Sequence, residues 1–146
     1  MTRGVRKSVY LGAFSCLLSG LLAGCSNNGS DTLKDLATCG EFVFPDDAKM
    51  IWYREHSTFG DELLDAVVEI AASKVAEFKQ QSRLEKFEPG VPRYWRESWQ
   101  DIGQAQLLAS DAGNEHLVEL NQSPTRWVVI HDSGSEVRQL FIKVGC

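Results

Sequence analysis

The chain has 146 residues, with 15 Lys and Arg against 20 Asp and Glu and a formal charge of −5. That length fits one domain able to bury roughly two thirds of its unfolded surface, and it is cramped for two. The acidic balance argues against nucleic acid and anionic lipid surfaces as partners, helps solubility and permits a basic protein partner.

Residues 1–8 hold Arg3, Arg6 and Lys7 and no acid, and residues 9–23 are apolar without charge or proline, the layout of an export leader. The apolar run falls short of the roughly 20 residues a spanning helix needs, and no later stretch is long and apolar enough to span. It ends in Leu22-Ala23-Gly24-Cys25, small residues ahead of a cysteine. This resembles the lipobox of bacterial lipoproteins at every position. The resemblance implies that the Cys25 thiol receives a diacylglyceryl group, that residues 1–24 are cut away, and that the new amino terminus is acylated. Two or three acyl chains, at about 0.8 kcal/mol per buried CH₂, would hold the protein stably at a membrane. The alternative is an ordinary signal peptide with a chance cysteine. Loss of the leader removes three basic residues and no acid, leaving 122 residues with 12 basic against 20 acidic side chains, a charge of −8.

Residues 25–38 are expected to form the lipid anchor and a flexible tether, ahead of one small domain over 39–146. The polar run 26–31 has a typical reach of roughly 13 Å, and a short helical turn is expected over 32–37. Pro45-Asp46-Asp47 is a turn signal. Residues 49–56, with Met50, Ile51, Trp52 and Tyr53, then read as a strand.

The stretch 61–86 is ambiguous. Leu64, Ala66, Val68 and Ile70 alternate as on a half-buried strand, yet Leu64, Val68, Ala71, Val75 and Phe78 fit a helical stripe. The favoured reading is a strand over 62–71, then a helix over 74–86 with Ser73 as its N-cap; one long helix remains the alternative. On the strand reading Asp65 and Glu69 are simple solvent-side charges. Pro89 and Pro92 end the helix. Tyr94, Trp95, Trp99 and Ile102 have helical spacing over 93–102, and 104–108 continues that helix or forms a separate turn. Residues 116–120 read as a short edge strand. Residues 126–131 and 136–144 flank Asp132-Ser133-Gly134-Ser135 as a hairpin, and both arms are apolar on two faces, which suits the middle of a sheet.

Cysteine counting assigns each of the four thiols a separate fate. Cys16 leaves with the leader and Cys25 is consumed by lipid, so Cys39 and Cys146 are the two left in an oxidising compartment. A Cys39 to Cys146 disulfide is expected, with a free terminal thiol or an intermolecular bridge as alternatives. Neither cysteine has a partner at metal-ligand spacing.

The sequence contains no GxSxG, SxxK or HExxH motif and no glycine-rich phosphate loop. His56, His116 and His131 are scattered, and the acid pairs Asp46-Asp47 and Asp61-Glu62 sit where turns are expected. No catalytic residue, metal or cofactor is therefore expected. The densest aromatic and arginine cluster, Arg93, Tyr94, Trp95, Arg96 and Trp99, has the composition of an interface hot spot. Trp95 and Trp99, four apart, equally fit a core stripe.

The order Pro45-Asp46-Asp47-Ala48, strand, glycine turn, apolar strand, short helix and final hairpin resembles small secreted α+β lipoprotein domains of unknown function, over about residues 45–144. The expected fold is α+β: an antiparallel sheet of four or five strands with one or two helices packed on one face. The expected role is a non-catalytic accessory or protein-binding domain of the cell envelope, outside the cytoplasm. Ser26 after the lipid cysteine resembles the outer-membrane sorting pattern of cells with two membranes, which would leave the domain facing the periplasm. In a cell with one, the anchor would be the outer leaflet of the plasma membrane. The alternative role is an inhibitor or immunity lipoprotein that blocks a secreted toxin or hydrolase.

Overall fold

The computed structural model describes residues 28–58, 61–99 and 104–146. In chain order these form α1 (Asn28–Gly40), β1 (Lys49–Thr58), β2 (Asp61–Ala71), a 3₁₀ turn (Ala72–Lys74) leading into α2 (Val75–Gln81), β3 (Glu88–Pro89), α3 (Arg93–Glu97), a second 3₁₀ turn (Ala105–Leu108), β4 (Asn114–Glu119), β5 (Thr125–His131) and β6 (Val137–Gly145). The strands make one antiparallel sheet in the order β1-β2-β6-β5-β4-β3. The α+β class holds, but the sheet has six strands rather than four or five. The addition is β3, two residues outside β4, where the missing N–H of Pro89 is tolerated at a sheet edge.

β2, β5 and β6 are apolar on both sides, and each side must be covered. On one face Leu64, Ala66, Val68, Ile70, Val128, Ile130, Leu140, Ile142 and Val144 meet Leu36 of α1, Phe78 of α2, Phe42 and Leu84. On the other, Val67, Val129 and Phe141 meet Trp95 of α3, Trp99, Leu108 and Val91. Helical segments therefore lie on both faces, where one face was expected. Burial of the adjacent pairs Val67/Val68, Val129/Ile130 and Phe141/Ile142 explains why. The hairpin arms β5 and β6 are central, and β6 runs between β2 and β5.

Residues 61–86 take the strand-then-helix form, with two corrections. Ser73 lies inside the first 3₁₀ turn, which has no side-chain cap, and α2 stops at Gln81 rather than near 86. The stop is a helix-ending hydrogen-bond motif: Arg83 has φ +56° and the Leu84 N–H donates to the Lys79 carbonyl at 2.8 Å, which drops Leu84 into the core. α1 ends the same way, with Glu41 at φ +53° and the Phe42 N–H on the Ala37 carbonyl at 2.9 Å. Buried Arg126 joins the two ends. Its Nη1 donates to the carbonyls of Gly40 and Ser82, at 3.4 and 3.0 Å, while Glu119 pairs with its Nε and Nη2 at 2.7 and 2.6 Å. A cation at two helix C-termini also complements both helix dipoles.

The expected tether is shorter than read. Residues 28–38 belong to α1, whose Leu36 is fully buried, so the domain begins ahead of residue 39. Cys25, Ser26 and Asn27 lie outside the described residues. No helix among the described residues is long and apolar enough to cross a membrane. The Cys39–Cys146 disulfide is present, with Cα atoms 5.5 Å apart across a sequence separation of 107; it ties the C-terminal turn of α1 to the residue following β6.

Candidate functional site

The chain's four tryptophans gather on one face of the sheet. α3 places Trp95 inward and the following turn does the same for Trp99, leaving them 2% and 1% exposed, with Trp52 of β1 and Trp127 of β5 packed at the margin. Trp99 is the hub. Its ring meets Phe141 edge-on with centroids 5.5 Å apart, and Trp52 and Trp95 each at 5.9 Å. Neither the Trp95 nor the Trp99 indole N–H has a hydrogen-bond partner among the described residues.

Beneath the rings lies a charge row set by strand register. Arg54 of β1 is paired with Asp65 of β2, and Asp65 with Lys143 of β6. Asp65, 1% exposed, receives Arg54 Nη2 and Lys143 Nζ at 2.8 Å each, and His56 Nε2 stands 3.7 Å away. The Lys143 ammonium also sits 4.7 Å from the Trp99 ring centroid, and the Arg54 guanidinium 5.2 Å from that of Trp52. Asp65 is therefore not the solvent-side charge expected. The helix and turn that cover this face close over it, whereas Glu69 keeps partial exposure. One signal in the sequence pointed here: a lone acid within Leu63-Leu64-Asp65-Ala66-Val67-Val68, where both faces are otherwise apolar. Chemically, a carboxylate held by two cations is a fixed counter-ion.

Of the five residues singled out as a possible partner site, the structure separates inward from outward. Trp95 and Trp99 are core. Arg93 and Tyr94 point outward, Tyr94 being 59% exposed, the most exposed large apolar side chain among the described residues. Arg96 turns aside to pair with Asp111, whose carboxylate also accepts the Val91 N–H at 3.0 Å. α3 thus presents a tyrosine and an arginine on a base fixed by two buried indoles.

Two smaller features complete the surface. A groove of about 400 Å³ runs beside the end of β4, lined by Arg83, Lys86, Leu117, Glu119, Leu120 and Gln122 among others. On the tryptophan face, buried Asn114 donates from Nδ2 to the carbonyls of Leu107 and Ser110, which turns its Oδ1 toward His131 Nδ1 at 3.0 Å. That fixes the neutral imidazole with its proton on Nδ1. Burial pushes the His131 pKa below its ordinary 6.5; Asp132 opposes the shift and Arg138 adds to it. His56, His116 and His131 do not converge, and no group of three or more His, Cys, Asp and Glu among the described residues is placed to hold a metal ion. No family model, no curated protein and no solved structure matched this chain in comparison.

Proposed function

We propose that the chain is an exported lipoprotein, held at the cell envelope through Cys25, whose single domain binds another envelope protein and catalyses no reaction. The observation that carries the binding part is Tyr94. A large aromatic side chain stands exposed next to Arg93 on a five-residue helix whose other side is fastened by Trp95 and Trp99. A rigid aromatic beside an arginine loses little conformational entropy on binding, which is why such residues dominate interface energetics. The Cys39–Cys146 bridge supports export, because disulfides persist in oxidising compartments. The acidic charge of the processed chain favours a basic partner, and a secreted toxin or hydrolase blocked at the membrane is the second reading that this charge suits.

Two measurements test the proposal. The intact mass of envelope-extracted protein should correspond to a chain starting at Cys25 with added acyl groups; any other start, or an unmodified Cys25, overturns the anchoring. A photo-crosslinking residue placed at Tyr94 should trap one discrete partner in intact cells, and the same probe at exposed Ser135 should not. Equal trapping at both positions, or none at 94, overturns the binding surface.

A further inference from the structure

We propose that the β1 edge of the sheet, together with the N-terminal half of α1, is the side of the domain that lies against the bilayer. This rests on lipidation at Cys25.

Cys25 is three residues from Asn28, the first residue of α1, so at 3.8 Å per residue the two Cα atoms are at most about 11 Å apart. Whatever surrounds the start of α1 is therefore held at the headgroups. The C-terminal turn of α1 is bonded through Cys39 to Cys146, just past β6, and the helix packs against β6 and β1. Asp35 already lies within electrostatic reach of Tyr53 on β1. From Asp35 back to Asn28 the helix extends another 10 Å or so, at about 1.5 Å per residue. β1 is the outermost strand on that side, and α1 packs against it, which places the N-terminal half of α1 at the β1 edge.

β1 is a ten-residue edge strand whose outward backbone groups could pair with another chain. Its one exposed large apolar residue, Ile51, is 41% exposed at an irregularity in the β1–β2 register. A bilayer held against that edge denies it to other strands. The opposite edge, with β4, β3 and the groove near Leu120, is then turned away from the membrane. The side carries Asp31, Asp35 and Glu55 as well as Lys34 and Lys49, so the anchor, not charge attraction, imposes the contact.

The test uses the full lipidated chain on phosphatidylcholine vesicles with nitroxide-labelled headgroups, and a fluorescent residue introduced at Ser57 or at Asn121. Both positions are exposed at the same end of the sheet, but four strand spacings, about 19 Å, separate their strands. Quenching should be severalfold stronger at 57 than at 121. Inserting about 20 Gly and Ser residues between Asn27 and Asn28, with a typical reach of about 25 Å, should erase the difference. Equal or reversed quenching in vesicle-bound, lipidated protein overturns the orientation while leaving the lipoprotein reading intact. A difference that survives the insertion overturns the claim that the short anchor imposes the contact. Protein that carries no lipid and stays off the vesicles overturns the lipoprotein reading and this inference with it.

Discussion

Replacing Asp65 with Asn removes one charge and almost no volume, and the structure sets what that should cost. Asp65 is 1% exposed and is the shared counter-ion of Lys143, itself 19% exposed, and Arg54, 35% exposed. Removing one partner of a buried pair costs about 3–5 kcal/mol, because the other charge stays buried and uncompensated. Arg54 can swing its head into water, and Lys143 keeps its place over the Trp99 ring, a contact worth about 1 kcal/mol. Both effects pull the estimate to the low end, about 3 kcal/mol. Lys143→Met should cost about 2 kcal/mol, since Asp65 keeps Arg54. If the charges answer each other across the β2–β6 register, the double variant should lose about 2 kcal/mol less than the sum of the single losses. Urea melts under oxidising conditions, extrapolated to zero denaturant, measure all three. Losses that add within about 0.5 kcal/mol, or an Asp65→Asn loss below about 1 kcal/mol, would refute the argument that this row is an electrostatic unit.

Non-reducing peptide mapping should find Cys39 joined to Cys146 within one molecule. Opening the bridge with a Cys39→Ser, Cys146→Ser variant should lower stability by up to about 4.7 kcal/mol, the loop-entropy figure for roughly 100 residues; no change in the urea midpoint would contradict it. Trp99→Ala should cost about 3–5 kcal/mol as a core truncation, while Tyr94→Ala should stay within about 0.5 kcal/mol as an exposed one; the reverse ranking in the same melts would overturn the inward and outward assignment. The folded His131 pKa lies below the unfolded value near 6.5, so the unfolded chain binds its proton more readily. Its stabilising contribution is therefore complete above pH 6.5 and is lost as the pH falls toward the folded pKa. His131→Gln should flatten that part of the stability profile, and an unchanged slope between pH 5 and 7 would count against it.

How much of this could be read from the sequence differs by element, for physical reasons. The every-second-residue pattern Leu64, Ala66, Val68 and Ile70 favours a strand because the period of two is local, and the hairpin of β5 and β6 is legible because both arms and their loop are contiguous. The Cys39–Cys146 pairing is read from the expected fates of Cys16 and Cys25 rather than from spacing. β3 could not be seen: Glu88-Pro89 has no periodicity, and it becomes a strand only because β4 lies beside it. The start of α1 reads as a linker because Asn28 to Asp31 are polar, and only a short helical turn over 32–37 is expected; what recruits the whole helix is the Leu33, Leu36 and Cys39 stripe, too brief to stand out. The aromatic cluster gave the right residues with two meanings, and only the sheet face decided that Trp95 and Trp99 go inward while Tyr94 stays out. Asp65 was misread because alternation says which side a residue faces, never whether that side is covered.

The same structure explains why the Cys39–Cys146 disulfide is placed where it is. α1 contributes three residues, Leu33, Leu36 and Cys39, to a core otherwise built mostly from long strands, and helices of this length gain most of their stability from such packing. If Cys25 carries the lipid, α1 is also the element that transmits the hold of the membrane to the domain. A helix fastened by so few side chains is prone to local opening. The bridge joins its last turn to the end of β6, which pairs with β2 along nine positions and with β5 along seven. Such an anchor would thereby be coupled covalently to the best-supported strand of the sheet, and Arg126 seals the same corner by bonding to the Gly40 carbonyl at the end of α1. When the helix opens, its last turn therefore stays tied to β6 by the bridge, and reseating Leu33 and Leu36 restores the packing.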